Sequence, residues 1–143
     1  MANATLAGRE YTFVIDTGSS DTWIATTTFG CINSARTAYI DQKRCGFGTL
    51  YDAAHSSTVR QIPNYSFGVE YSDGEFLSGD MATEQLGIGG INEDQLNVRQ
   101  TIGVVQRGYW MGDGVSSGLL GLAYPALASN VDQLNYTTVV FTL

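Results

Sequence analysis

Histidine, proline and cysteine are nearly missing from this chain, which has one His, two Pro and two Cys in 143 residues. A single His and the lack of any Cys-x-x-Cys leave no ligand set for a metal centre, so neither a metal nor a cofactor is expected. Charge is sparse too. Charged residues make up 15% of the chain, against about 25% in an ordinary soluble domain, and the 7 basic residues are scattered rather than clustered. A nucleic-acid partner is not expected, because phosphate recognition needs concentrated positive charge. No apolar run approaches the ~20 residues of a membrane span. The opening Met1-Ala2-Asn3-Ala4 also lacks the apolar stretch of a secretory leader.

What is present is a strand-forming composition. The chain is 43% hydrophobic and holds 17 Gly, with Val, Ile, Thr, Tyr and Phe in short runs between turn-forming residues. That pattern predicts an all-β domain with a core of its own. Its length fits one domain. The net charge of −7 fits either plain solubility or an acidic working compartment. Three N-glycosylation sequons, at Asn3, Asn64 and Asn135, lean towards secretion. A bond between Cys31 and Cys45 would close a loop worth about 3 kcal/mol in the chain-entropy account.

Along the chain, residues 10–16 read as a largely buried strand, 17–20 as a turn and 22–26 as strand again. Residues 27–54 read as long loops, and 52–58 as one short helical turn. Tyr65, Phe67, Val69 and Tyr71 alternate onto one face. The turn Ser72-Asp73-Gly74-Glu75 and a return strand over 76–86 complete a hairpin. A chain break follows at 87–90, an alternating strand at 96–105 and a loop at 112–114. A short apolar strand is expected at 119–122, and a short helix at 127–134.

Three motifs carry chemistry. In Val14-Ile15-Asp16-Thr17-Gly18-Ser19-Ser20-Asp21-Thr22-Trp23 a carboxylate ends an apolar strand and is followed by a hydroxyl residue, Gly and two more hydroxyls. The strand supplies rigidity, Gly permits a tight turn, and hydroxyls and N–H groups can orient the carboxylate. Asp-Thr-Gly by itself is better explained as a common strand-to-turn junction. The hairpin Val69–Glu75 has a Gly at its tip, so it can move and could close over a reacting bond; alone, it is better read as an ordinary surface hairpin with an exposed Tyr. In Ser117-Gly118-Leu119-Leu120-Gly121-Leu122, Gly lets two backbones approach closely, while Leu120 and Leu122 read simply as core.

The full first motif is the signature around the first catalytic aspartate of the pepsin-like aspartic proteases, and the chain resembles that family in colinear order from about Tyr11 to Phe141. The resemblance implies one lobe of a normally bilobal acid protease, with mixed sheets, a ψ-shaped active-site strand and a hairpin flap. It implies Asp16 as a catalytic aspartate and Ser19 as a hydrogen-bond partner of its carboxylate. Thr17 would sit in the network that braces the two active loops, Gly18 in the turn, and Trp23 would back the flap tyrosine through its ring nitrogen. Tyr71 matches that tyrosine, and Asp73 and Gly74 match tip residues that bind substrate backbone. Val14, Leu119 and Trp110 would line the same substrate pocket as Tyr71. Cys31 and Cys45 sit where the family often carries a disulfide. Ser117 stands where the family usually has an aspartate. His55 reads as a surface residue, since nothing near it suggests a Ser or Cys nucleophile.

The resemblance further implies a chain clipped at both ends. The family's opening strand is not found before Leu6, and the sequence stops at 139–143 within what should be an ordered element. No second Asp-Thr/Ser-Gly-Thr/Ser follows the first, so the partner carboxylate would come from a second lobe. Alone, the chain would have little or no peptidase activity. Two other readings remain: a homodimeric protease with one Asp per chain, and a non-catalytic peptide-binding module. In each reading the partner is a peptide or protein.

Overall fold

The computed structural model describes residues 1–88 and 96–129. Its first strand is one the sequence reading missed: β1, Ala2–Leu6, precedes β2, Arg9–Asp16, which corrects the expectation that no strand opens the chain before Leu6. The two form a hairpin with Leu6 opposite Arg9. Its two-residue turn, Ala7-Gly8, has positive φ at both positions (51° and 78°), the geometry whose twist matches paired strands.

Next come β3 (Trp23–Ile32), the two-residue β4 (Tyr39–Ile40) and β5 (Arg60–Glu70), followed by β6 (Phe76–Ile88), β7 (Leu96–Tyr109) and β8 (Gly118–Gly121). Helix is confined, among the described residues, to single 3-10 turns at Gln42–Cys45, Ala53–His55 and Pro125–Leu127. The helical turn expected in 52–58 is therefore present. Most of the helix expected at 127–134, and the 89–90 part of the break, lie outside the described residues. Residues 27–54 are less loop-like than the sequence suggested, because β3 runs on to Ile32 and pairs with β4.

The strands join in the order β1-β2-β8-β3-β7-β6-β5, and β1 also pairs with β6. That last pairing closes six strands into a barrel and leaves β5 outside it as an edge strand. Most pairs are antiparallel, but β2–β8 and β3–β7 are parallel. The short β8 lies between β2 and β3, parallel to one and antiparallel to the other, which is the expected ψ arrangement.

Neighbouring residues on a strand face opposite sides, and this splits the core in two. Ile24 and Leu120 join Leu6, Phe13, Leu86 and Ile102 in one cluster. Their neighbours Trp23 and Leu119 join Phe67, Leu77, Met81 and Val105 in the other. Burying each such side chain contributes about 1.5–3 kcal/mol. The second cluster also holds the Cys31–Cys45 disulfide. The first includes Tyr51, whose hydroxyl donates to the fully buried Glu84 at 2.6 Å.

Candidate active site

Asp16 is the last residue of β2, opposite Gly121 of β8. Chain order alone makes the turn after it tight: the Gly18 N–H donates to Asp16 Oδ1 at 2.9 Å and the Ser19 hydroxyl to Oδ2 at 2.6 Å. Both carboxylate oxygens are thus oriented by the turn that follows them. The turn is in turn fastened to the chain beyond β8. Leu122 N–H donates to Asp16 O, Ala123 N–H to Ser19 O, and the Ser20 hydroxyl to Tyr124 O at 2.6 Å. Thr17 and Gly18 are exposed, and Thr17 makes no hydrogen bond among the described residues.

The glycines of β8 are required by this crossing. A Cβ on Gly118 would lie 2.1 Å from Trp23 O, and one on Gly121 2.5 Å from the Ser20 carbonyl carbon. Ser117, in the place of the family's usual aspartate, is fully buried, and its hydroxyl has no partner among the described residues. Its main chain holds the position: Ser117 N–H donates to Thr12 O and Ser117 O accepts from Ala25 N–H.

The hairpin of β5 and β6 carries Tyr71 just past Glu70. The indole N–H of Trp23, a residue 1% exposed, donates to Tyr71 Oη at 3.0 Å. The bond ties the first strand after the Asp16 turn directly to the hairpin. Burial pushes the Tyr71 phenol up to about 12, against the pull of the Trp23 N–H, and the negative charges of Asp16, Asp21 and Glu75 add to the rise. Tyr71 therefore keeps its proton at any ordinary pH. Since its oxygen accepts from Trp23, its O–H is left to donate elsewhere. At the exposed tip, Gly74 takes φ 93°, Gly74 N–H donates to Tyr71 O, and Asp73 Oδ1 accepts from Glu75 N–H at 3.1 Å.

Trp110 sits edge-on to Trp23 (ring centroids 5.0 Å apart) and tilted against Tyr71 (5.8 Å). Val14, Tyr71 and Trp110 all pack on the cluster that contains Leu119 and Trp23. The structure thus brings together five of the residues named from the sequence, Val14, Trp23, Tyr71, Trp110 and Leu119. Asp73 and Gly74 lie at the tip and Thr17 on open surface, away from these packing contacts. Two cavities lie beside the hairpin, one lined by Arg36, Glu70 and Phe76 and the other by Asp80 and Arg107.

Several contributors went unassigned in the sequence. Phe47 stacks on Trp110 with a 2° angle between planes and meets Trp23 edge-on. Glu75 is buried, with a carboxyl raised chiefly by desolvation, and accepts the Met111 N–H at 2.8 Å. It pins the tip end of the hairpin to the segment that carries Trp110. Asp21, inside the signature itself, accepts the Ser129 N–H and hydroxyl, each at 2.9 Å. A carboxylate in a turn and one beside a hairpin tip look solvated in sequence; only the packed partners reveal their burial. His55 is a surface residue, as expected, with its side chain 85% exposed beside Asp52. Among the described residues no cluster of His, Cys, Asp and Glu could hold a metal ion.

Comparison with known proteins shows the family. The family model described as eukaryotic aspartyl protease matches residues 6–142. A probable aspartic-type endopeptidase of Aspergillus fumigatus is 41% identical over 124 residues, covering 87% of this chain and 27% of that protein. Rhizopuspepsin of Rhizopus chinensis is 33% identical over 124 residues (85% of this chain, 27% of its own). The probable aspartic-type endopeptidase OPSB of Arthroderma benhamiae is 33% identical over 121 residues, 79% of this chain and 23% of its own. The chain spans about a quarter of the length of these curated relatives.

Proposed function

Because the chain belongs to the eukaryotic aspartyl protease family, we propose that it is the N-terminal lobe of an aspartic endopeptidase. In this reading it supplies one catalytic carboxylate, Asp16, and the flap of β5 and β6. The observation that carries the reading is a pairing: a carboxylate oriented on both oxygens by its own turn, and a flap tyrosine fixed to the adjoining strand by Trp23. The second carboxylate comes from a lobe outside this chain, against which Thr17 braces. Two carboxyls so close cannot both ionise, so they share a proton and hold one water between them. One takes a proton from the water as it attacks the peptide carbonyl, and the other protonates the carbonyl oxygen.

The substrate is a peptide or protein lying extended under the flap. Tip groups Asp73 and Gly74 contact its backbone, and Val14, Tyr71, Trp110 and Leu119 form one side-chain pocket. Closing the flap excludes water from the reacting bond. An acidic extracellular or vacuolar setting fits the net charge of −7 and the sequons, and the protein is a secreted glycoprotein in this reading.

The test mixes the purified chain with the C-terminal half of a relative that carries its own Asp-Thr-Gly, and follows cleavage of an unfolded polypeptide at about pH 3–5. The chain alone should be inactive, the mixture active, and Asp16→Asn should abolish turnover. Turnover that survives Asp16→Asn in the mixture would sink the protease role. Asp16-dependent turnover by the chain alone would instead place both carboxylates in two copies of this chain.

A further inference from the structure

The three Asn-x-Ser/Thr sequons look alike in sequence and differ in the fold. Asn3 lies within β1, opposite Thr12 of β2. Its amide donates to Glu10 Oε1 at 3.2 Å, and its oxygen accepts the Thr12 hydroxyl at 3.0 Å. β1 is paired on both sides, with β2 and with β6, and the hydroxyl residue of this sequon, Thr5, is buried. Drawing the Asn3 amide into a transferase site would mean bending a strand that closes the barrel. Asn135 lies outside the described residues.

Asn64 sits in the reverse situation. Its backbone is left-handed, φ 68°, a conformation Asn tolerates better than most side chains. It falls where the β5–β6 register is interrupted, between Gln61 and Ser66, so the chain bulges outward there. β5 is the last strand in the sheet order, and among the described residues no strand pairs with its outer edge. Asn64 is exposed, as is Ser66 two residues on, and no hydrogen bond holds the Asn64 amide among the described residues. Pro63 before it lacks an N–H, which removes one ladder bond that would otherwise flatten the bulge.

We infer that Asn64, and not Asn3, accepts an N-linked oligosaccharide. Asn64 Nδ2 bonds to C1 of the reducing-end sugar of a lipid diphosphate-linked oligosaccharide donor. The C1–O bond to the diphosphate breaks, the lipid diphosphate leaves, and one amide proton is lost. The sugar then stands over the outer edge of β5, which no described strand covers and which would otherwise be a template for pairing with another chain. This assignment rests on the secretory part of the reading above and is independent of peptidase activity.

The test expresses the full chain behind a supplied secretion leader in a glycosylating yeast, so that entry into the secretory pathway is given. The product is trimmed with an endoglycosidase that leaves one sugar, and its peptides are read by mass spectrometry. The sugar should be found on the Asn64 peptide in most molecules and be missing from the Asn3 peptide. Asn64→Gln and Ser66→Ala should each remove the corresponding gel-mobility shift, the second keeping Asn64 itself in place. An unmodified Asn64 peptide, or an Asn3 peptide occupied to the same extent, overturns the assignment. Neither result bears on the cleavage assay, so the two readings can fail separately.

Discussion

At the scale of single residues, one anchor of the barrel is an acidic side chain. Glu84 is fully buried, a position an acid occupies only when its oxygens are satisfied. They are: Oε2 accepts the Tyr51 and Ser56 hydroxyls at 2.6 and 2.7 Å, and Oε1 accepts the Thr58 hydroxyl and the Gln85 N–H. Burial by itself would raise this carboxyl, but the hydroxyls of Thr58, Tyr51 and Ser56 outweigh it and hold it below the usual range. A carboxyl that is lower in the folded than in the unfolded chain adds stability at pH values above its unfolded pKa. That contribution fades as pH falls through the folded value. Urea midpoints should therefore fall as pH drops below about 4. Glu84→Ala, which strands three hydroxyls, should cost about 3 kcal/mol near neutrality and flatten that slope. A slope unchanged in the variant would show that other carboxylates set it. The same chemistry at Asp16 serves orientation instead, since its two partners leave the carboxylate half open rather than enclosed.

At the scale of elements, β8 decides whether the site exists. Four residues long, it separates β2 from β3 and places the Asp16 turn against the chain that follows. Gly118→Ala would push a methyl into Trp23 O, 2.1 Å away, which main chain cannot yield to cheaply. The variant should lose more than about 3 kcal/mol or fail to fold, as read by circular dichroism and urea denaturation. A variant as stable as the parent would mean that β3 and β8 stand further apart than described. Much of this element was legible beforehand. The Gly-Leu-Leu-Gly spacing marked a close crossing, Val14-Ile15-Asp16 marked a strand ending in a carboxylate, and the Tyr65/Phe67/Val69/Tyr71 alternation marked the hairpin of β5 and β6. β1 was not legible, because Ala-Asn-Ala-Thr-Leu carries weak β propensity and only half a pattern. Its strand character comes from two neighbours, β2 and β6, far apart in the chain. The start of β5 was hidden as well, since Pro63 and the left-handed Asn64 read as a break while the sheet accommodates them as a bulge.

At the scale of the whole molecule, the β1–β6 pairing turns an open sheet into a barrel. Ala4 and Leu6 are buried beneath it, so removing residues 1–7 would expose that core and the edges of β2 and β6. The truncated chain should unfold at lower urea, with a loss of about 3 kcal/mol or more. Dynamic light scattering should show it self-associating through the freed edges. An unshifted midpoint would mean that the barrel does not depend on its closing strand.

Local pattern by itself determined which residues are candidates for the chemistry. A carboxylate after an apolar strand, a Gly-bearing hairpin tip and glycines at a crossing are short-range requirements of backbone geometry, so they are written in consecutive residues. Tertiary structure alone decided which of the chain's acids are enclosed. Asp21, Glu75 and Glu84 are buried by partners 108, 36 and 26 to 33 residues away. It also decided that the sheet closes on itself. Burial and closure depend on contacts between segments remote in sequence, and no window of neighbouring residues contains them.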